Sequence, residues 1–437
     1  MLTDPTGDPI RTHRPLGRDA IGRVLDSLVR WELSALFRQR GEPAPERIGA
    51  RTPLGEAGIG LDSIELIGLG TAVVEYFHLG EAGNEDNLLR RPTLERWRRV
   101  VLEARACRDE RITFRTSGST GSAQPCTHVL AALWDEALEF AALHAPHAPR
   151  RVVLAAPAHH IYGFIHGTLV PAALGVPVVD AADWGPGRWR RGLQAGDLVV
   201  SHPLLWASIA QAVPRLPAGV RGVTSTAPCD PALIGRLRAQ GLDAMIEVYG
   251  ASETAGIGWR GDPQAPYALL SRWARAADAA DGAARLRAAG ERRGEPIELA
   301  DRIEWTGARA LRPAGRRDGA VQVGGVNVWP GRIARRIAGW PEVAECVVRP
   351  MAPHEGTRLK AFIVLAPRHD AAAARALVAA RMRRELPAPE RCALAFGSAL
   401  PRNPAGKPCD WSLDRAAEPL GALAAPESTE AASSVGD

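Results

Sequence analysis

The segment whose residue types point most directly to chemistry is Thr113 to Ser122, T-F-R-T-S-G-S-T-G-S, two glycines set among serines and threonines. Backbone N–H groups and hydroxyls in such a loop can face phosphate oxygens, with Gly118 and Gly121 permitting close approach. The G-x-x-x-x-G-K-[ST] pattern of the P-loop is absent, and a Ser/Gly loop taken alone is more often a flexible turn. Positive charge is carried almost wholly by arginine. Lys360 and Lys407 are the two lysines of the chain, so a lysine kept here needs a local reason. His159 and His160, in A-P-A-H-H-I-Y-G-F, read by themselves as a pair on a solvated strand-end loop.

The elements that must position these residues fall into three textures. From Arg18 to about Ala106 the pattern is helical: Ile21, Val24, Leu25, Leu28, Val29 and Leu33 recur at three- and four-residue steps, a second helix spans Ser63 to about Phe77, and Thr93 can cap a third over Leu94 to Ala104. Beyond Asp109, the runs Val152 to Ala156, Val176 to Val179, Leu198 to Ser201 and Ile246 to Tyr249 alternate with Ala- and Leu-rich stretches, predicting buried parallel strands in an α/β layered domain over 109–318. A small α+β domain over 319–415 follows, with strands near Glu345 to Val348 and Ala361 to Leu365 and a helix over Ala371 to Glu385. Ala416 to Asp437 has no periodicity and reads as a disordered tail.

Composition excludes several classes. The 437 residues carry 54 basic and 49 acidic side chains, and the arginines are dispersed rather than clustered with aromatics, against a nucleic-acid partner. No stretch approaches the roughly 18 to 20 apolar residues of a membrane helix, because Val152 to Val179 is broken by Pro157, His159, His160 and Pro171. Met1 to Gly17 lacks an apolar segment with a cleavage site, so a cytoplasmic protein is expected. The six cysteines form no C-x-x-C pair and are expected to be reduced.

Four segments in order resemble the core motifs of the adenylate-forming superfamily, which includes acyl-CoA synthetases, luciferases and carrier-loading adenylation domains. Thr116 to Gly121 is similar to its pyrophosphate-binding loop, and Val248 to Glu253, V-Y-G-A-S-E, to its Y-G-x-T-E motif with Ser252 in place of Thr. Gly315 to Asp318, G-R-R-D, resembles the ribose-binding arginine and hinge aspartate, and Leu400 to Lys407, L-P-R-N-P-A-G-K, the catalytic-lysine loop. The resemblance covers roughly Ile112 to Trp411. It implies ATP and Mg²⁺, with Thr116, Ser117, Gly118, Ser119, Thr120 and Gly121 around the departing phosphates, Ser252 on the α-phosphate, Glu253 on Mg²⁺ and Lys407 supplying charge to the first half-reaction. Ser225, Thr226, Ala227 and Pro228 would frame the adenine by their backbone, with Tyr249 and Gly250 beside it. Asp301, in L-A-D where T-G-D is usual, and Arg316 would clamp the ribose. His160, Tyr162 and Gly163 fit an H-x-x-G pattern whose histidine lines the carboxylate pocket. Rotation of the small domain about Asp318 would then bring Gly324 to Asn327 to the thiol and withdraw Lys407.

Two departures accompany the likeness. The lysine that usually follows the phosphate loop is replaced, Gln124 standing there with Pro125 after it, and about 110 residues take the place of a larger leading subdomain. Within those residues Gly58 to Leu79 resembles the second helix of acyl carrier proteins, with Asp62-Ser63 at its start. That likeness implies a four-helix carrier-like domain over 18–106 and Ser63 as a possible attachment point for phosphopantetheine; Asp62 or Ser63 can equally be a helix cap.

The expectation is therefore an ATP-dependent carboxylic acid ligase that forms an acyl-adenylate and transfers the acyl group to a thiol of CoA, a carrier protein or an arm on Ser63. Its texture is similar to ligases of pigment and secondary-metabolite pathways, pointing to a benzoate-type acid, with a medium-chain fatty acid second. The rival is a carrier or docking protein whose nucleotide domain has lost activity.

Overall fold

The computed structural model describes residues 15–45, 47–83, 87–115, 124–279, 281–290, 295–352, 354–367, 370–402 and 409–413. The chain packs into two compact units, Met1–Asp318 and Gly319–Asp437.

In the first unit the apolar stripe from Ile21 to Leu33 becomes one buried face of helix α1, Arg18–Arg40. Helix α2, Ser63–Phe77, opens on a reciprocal cap: Asp62 Oδ1 accepts from Glu65 N at 2.8 Å, and Glu65 Oε2 accepts from Asp62 N at 3.0 Å. Asp62 is thus the cap, and Ser63 is the exposed first residue of the helix. One turn, α3, Asn87–Arg90, precedes α4, Leu94–Cys107, where Thr93 Oγ1 accepts from Arg96 N at 3.2 Å.

These helices do not stand apart as the carrier-like bundle that the sequence suggests. Val24, Leu28, Phe77, Trp97 and Val101 share one continuous apolar core with Phe114, Leu133, Val152, Val200 and Ile246 of the α/β layer. Periodicity identifies which face of a helix is buried and leaves open what covers it. Here the cover is the hairpin of β1, Arg111–Arg115, and β2, Pro125–Val129, together with the helices behind it. Tyr76 meets Phe114 edge-on at 5.5 Å, and Phe114 meets Phe164 at 5.4 Å, so an aromatic chain runs from α2 into the layer.

The layer alternates helices and strands: α5, Leu130–His144; β3, Arg151–Leu154; α6, Ile161–Phe164, and α7, Val170–Leu174, joined by a π-turn; β4, Val178–Asp180; α8, Pro186–Gly192; β5, Asp197–Ser201; α9, Pro203–Ala212; β6, Arg221–Thr224; α10, Pro231–Ala239; and β7, Ala244–Ala251. The chain then adds β8, Ala255–Arg260, β9, Tyr267–Leu269, a small sheet of β10, Trp273–Arg275, β11, Arg285–Ala288, and β12, Ile297–Glu298, and the long pair β13, Asp301–Gly307, and β14, Ala310–Arg316. The large sheet has the order β13-β14-β9-β8-β7-β6-β5-β3-β4, parallel from β4 to β7 and antiparallel beyond. β5 and β6 are buried along their whole length, as strands covered on both faces must be. The four strands expected from apolar runs are present. β6, reading R-G-V-T, has too little apolar sequence to announce itself.

The second unit opens with the pair β15, Val321–Val323, and β16, Val326–Val328. It continues through α11, Pro330–Ala338, β17, Val343–Pro350, β18, Leu359–Leu365, α12, Ala371–Glu385, and β19, Cys392–Gly397. The last three strands form a sheet with β18 central. Lys360 is wholly buried in β18, where its ammonium donates to Glu355 Oε2 at 2.6 Å and to the Trp411 carbonyl, lies 3.1 Å from Asp410 Oδ1, and sits over the Trp411 ring. Its bond to Lys360 holds the Glu355 carboxyl at about 2. A compact ammonium with three donors satisfies this enclosure, which accounts for one of the two lysines. No helix among the described residues is long and apolar enough to cross a membrane.

The shared core makes a checkable statement. Trp97 is fully buried and donates from Nε1 to the Leu88 carbonyl at 2.8 Å. Trp97→Ala should cost about 3–5 kcal/mol and lower one transition seen alike by hydrogen exchange in α1–α4 and in β3–β7. Separate melting of the helices at unchanged sheet stability would contradict the shared core.

Candidate active site

The parallel strands deliver their outgoing loops to one side of the sheet: β3 leads to Pro157–His160, β6 to Ser225–Pro228 and β7 to Ser252–Glu253. Open α/β sheets gather ligands at that edge. Backbone conformation there is unusual. Thr226 and Ala255 adopt left-handed φ values of 75° and 59°, and the β7–β8 register shifts between Tyr249 and Gly250. A Cβ on Gly250 would stand 2.2 Å from the Ala255 carbonyl oxygen, so glycine is required. Strain of this kind survives only where surrounding structure fixes it, and it collects at functional sites.

One polar constellation joins the centre of the sheet to its edge. The Tyr249 hydroxyl donates to Asp301 Oδ2 at 2.6 Å, and Asp301 is the cross-strand partner of Arg316 in the β13–β14 pair. Arg316 grips Asp318, the last residue of the first unit, through Nε at 2.9 Å and a terminal nitrogen at 2.8 Å. That bond raises the Arg316 pKa, with Asp301 and Glu253 adding smaller attractions. Burial, then Asp301, pushes Tyr249 far above the usual tyrosine range, so its hydroxyl stays a donor. Asp301, Arg316, Tyr249 and Glu253 thus lie within one electrostatic neighbourhood.

Three positioning groups escaped the sequence reading. Glu247, buried in β7, accepts from Arg260 Nε at 2.9 Å, from the Tyr267 hydroxyl at 2.8 Å and from Cys229 N at 3.1 Å. This network holds the end of the Ser225–Pro228 turn against β7, while Ser225 Oγ donates to the Val248 carbonyl at 2.8 Å. His128, on β2, donates from Nε2 to the Ser252 carbonyl at 2.7 Å; a carbonyl only accepts, so Nε2 carries the hydrogen. Burial keeps that ring below the usual histidine range, hence neutral. Behind β8, the wholly buried Glu136 accepts from Gly256 N at 3.0 Å and Arg272 Nη1 at 3.0 Å, yet burial outweighs both and raises it to about 7. A glutamate inside an apolar strand run was the available signal for Glu247, whereas Glu136, between Asp135 and Glu139 on α5, offered none.

His160 and His159 follow β3, with ring centroids 4.4 Å apart. Burial lowers His160 to about 4 and His159 to about 2, leaving both neutral near pH 7. Gly163 closes the turn, since a Cβ there would stand 2.0 Å from the Pro157 carbonyl oxygen. The Tyr162 hydroxyl points back to the Ser201 carbonyl at 2.9 Å. Thr116 to Gly121 and Lys407 lie outside the described residues; Arg115 and Pro125, which flank the former segment, are directly paired. Ser252 is half-buried, and Glu253 is exposed and makes no ion pair with a described residue. An exposed carboxylate offers a hard oxygen of the kind Mg²⁺ takes alongside substrate phosphates.

Comparison with known proteins bears on this arrangement. A family model described as AMP-binding enzyme matches residues 106–278. The 4-coumarate–CoA ligase of Halorhodospira halophila is 37% identical over 396 residues, spanning 90% of this chain and 99% of that protein. The chain belongs to the AMP-binding, adenylate-forming enzyme superfamily. The 4-coumarate–CoA ligase of Cereibacter sphaeroides is 35% identical over 414 residues, covering 91% of this chain and 97% of the relative. A double mutant of o-succinylbenzoate CoA synthetase from Bacillus subtilis, solved with its product analogue, has the same fold at TM-score 0.52 and 18% identity, over 68% of this chain and 67% of that one. This AMP-binding enzyme is an acid–thiol ligase. Alignment to the first relative leaves only about a tenth of the chain unmatched, less than the span of 18–106, so most of the helical segment has a counterpart there.

All four tyrosines, Tyr76, Tyr162, Tyr249 and Tyr267, are pushed above their ordinary range, burial being the main cause in each. The neutral phenols favour the fold below about pH 10, and that contribution is lost as pH rises further. Spectrophotometric titration should show no tyrosinate until the protein unfolds. A tyrosine ionising at about pH 10 in folded protein would contradict the enclosed network.

Proposed function

We propose that the protein activates an aromatic carboxylic acid with ATP and passes the acyl group to CoA. The observation that carries this reading is the Tyr249–Asp301–Arg316 constellation beside Ser252 and Glu253, in a chain whose relatives along nearly their whole length are named 4-coumarate–CoA ligases. In the first step a carboxylate oxygen of the acid attacks the α-phosphorus of ATP and the bond to pyrophosphate breaks. Both reactants are anions, so the site must neutralise charge and fix an in-line approach. Arg316 and Asp301 hold the ribose, the strained Ser225–Pro228 turn frames the adenine with Tyr249, and Ser252 meets the α-phosphate. The 116–121 loop cradles the departing phosphates, and Lys407 brings positive charge to the α-phosphate. Glu253 would hold Mg²⁺, which when bound supplies countercharge to the phosphate oxygens. His160, neutral and half-buried, lines the acid's pocket. In the second step a thiol sulfur attacks the acyl carbonyl, and AMP leaves with the carboxyl oxygen.

CoA is favoured as acceptor over an arm on Ser63, because the helical segment shares the catalytic unit's core and is largely matched in relatives named as CoA ligases. Intact-mass measurement after incubation with a phosphopantetheinyl transferase and CoA should show no change; a gain of one arm, abolished in Ser63→Ala, would make the chain its own acceptor.

The reading is tested by products and by half-reactions. With ATP, Mg²⁺, 4-coumarate or a hydroxybenzoate, and CoA, the products should be the acyl-CoA, AMP and pyrophosphate. Lys407→Ala should slow adenylate formation by orders of magnitude while leaving CoA transfer from a supplied acyl-adenylate largely intact. Release of ADP and phosphate, or equal loss of both half-reactions in the variant, would overturn it.

A further inference from the structure

Helix α1 reaches the ligand-gathering edge of the sheet. Arg30 donates to Asp180 Oδ2 at 3.1 Å and Asp183 Oδ2 at 3.2 Å, tying α1 to the end of β4. Three residues away, Ser27 Oγ is 2.8 Å from His159 Nδ1, a contact across 132 positions of sequence. Trp31, the next turn along, sets its ring 5.6 Å from that of His159 and 5.3 Å from that of His160. The result is a cluster of one indole and two imidazoles at the exit of β3.

Two features of the cluster are poorly explained by stability. Trp31 leaves 51% of its surface uncovered, although its neighbours on the same helix are packed. His159 is buried, held at Nδ1 by Ser27, and its Nε2 has no hydrogen-bond partner among the described residues. An orphaned buried polar atom costs free energy, so a histidine kept there serves something other than packing. Ser27 and Trp31 fall in the segment whose likeness to carrier proteins assigns them nothing, and neither belongs to the motifs of the nucleotide site.

We propose that Trp31 is a specificity-determining residue for the acid, its uncovered face receiving a planar aromatic ring, and that Ser27 is a positioning residue that fixes His159 behind it. This rests on the ligase reading above, which already names an aromatic acid, and adds the element that selects it. An indole face bounded by imidazole rings favours another aromatic ring in an offset or edge arrangement, an attraction that an alkyl chain of equal size gains only in part. The selecting wall is thereby supplied from helix α1, more than a hundred residues ahead of the turn it completes.

The test compares Trp31→Leu, Trp31→Phe and Ser27→Ala with the unaltered enzyme, in acid-dependent formation of AMP with 4-coumarate and with an aliphatic acid of equal carbon number. Calorimetric binding of each acid is measured alongside. Trp31→Leu should raise KM for the aromatic acid about tenfold and leave the aliphatic acid, KM for ATP and the melting temperature nearly unchanged. Trp31→Phe should restore most of the loss, and Ser27→Ala should weaken the aromatic acid with kcat little altered. An unaltered enzyme that turns over aromatic acids, with Trp31→Leu unchanged or weakened equally for both acids, overturns this inference and leaves the ligase reading standing. A fall in melting temperature with uniform loss for every substrate makes Trp31 structural and also overturns it. Failure of the unaltered protein to bind or use any acid overturns the ligase reading and this inference with it.

Discussion

The hydrogen bond from the Tyr249 hydroxyl to Asp301 is the joint on which the site's geometry depends. Tyr249 lies on the central strand β7, next to a register shift and a glycine that no side chain can replace. Asp301 lies on the edge strand β13, opposite Arg316, which in turn grips Asp318 where the first unit ends. One short bond therefore sets the distance between β7 and the edge strand β13 at the proposed nucleotide site. Beneath it, Glu247 with Arg260 and Tyr267 keeps β7 and the Ser225–Pro228 turn from drifting. An anionic reaction gains most from groups already in place, because reorganising dipoles during the step would raise its barrier.

The same principle accounts for the buried charges. Lys360 in the small unit and Glu247 in the large one each meet several polar partners, which offset the cost of their burial. Glu136 is the counterexample. Its partners fall short of the cost of burial, so it titrates near neutrality behind the strained Ala255.

Much of this was legible in the sequence, for identifiable reasons. Buried parallel strands write themselves as continuous apolar runs, so β3, β4, β5 and β7 could be read, while β6, with Arg221 and Gly222 leading it, could not. Motif order singled out Tyr249, Asp301 and Arg316, whereas the pairing of Asp301 with Arg316 comes from the β13–β14 register and the Tyr249–Asp301 hydrogen bond from the sheet's folding, neither of which sequence encodes locally. The helical segment was read correctly as helices and misread as a separate body. Spacing along Ile21 to Leu33 specifies an apolar stripe, whereas the hairpin and layer that cover it lie far along the chain, from Arg111 onward. The tie between Ser27 and His159 was invisible for the same reason.

Carboxylate-dependent exchange of labelled pyrophosphate into ATP tests the central claim most directly, because it isolates adenylate formation from the thiol acceptor. With 4-coumarate, hydroxybenzoates and fatty acids offered in turn, the account predicts Mg²⁺-dependent exchange with the aromatic acids. Exchange absent across the panel, from folded protein that still binds ATP, would contradict it and leave a nucleotide-binding docking protein in its place.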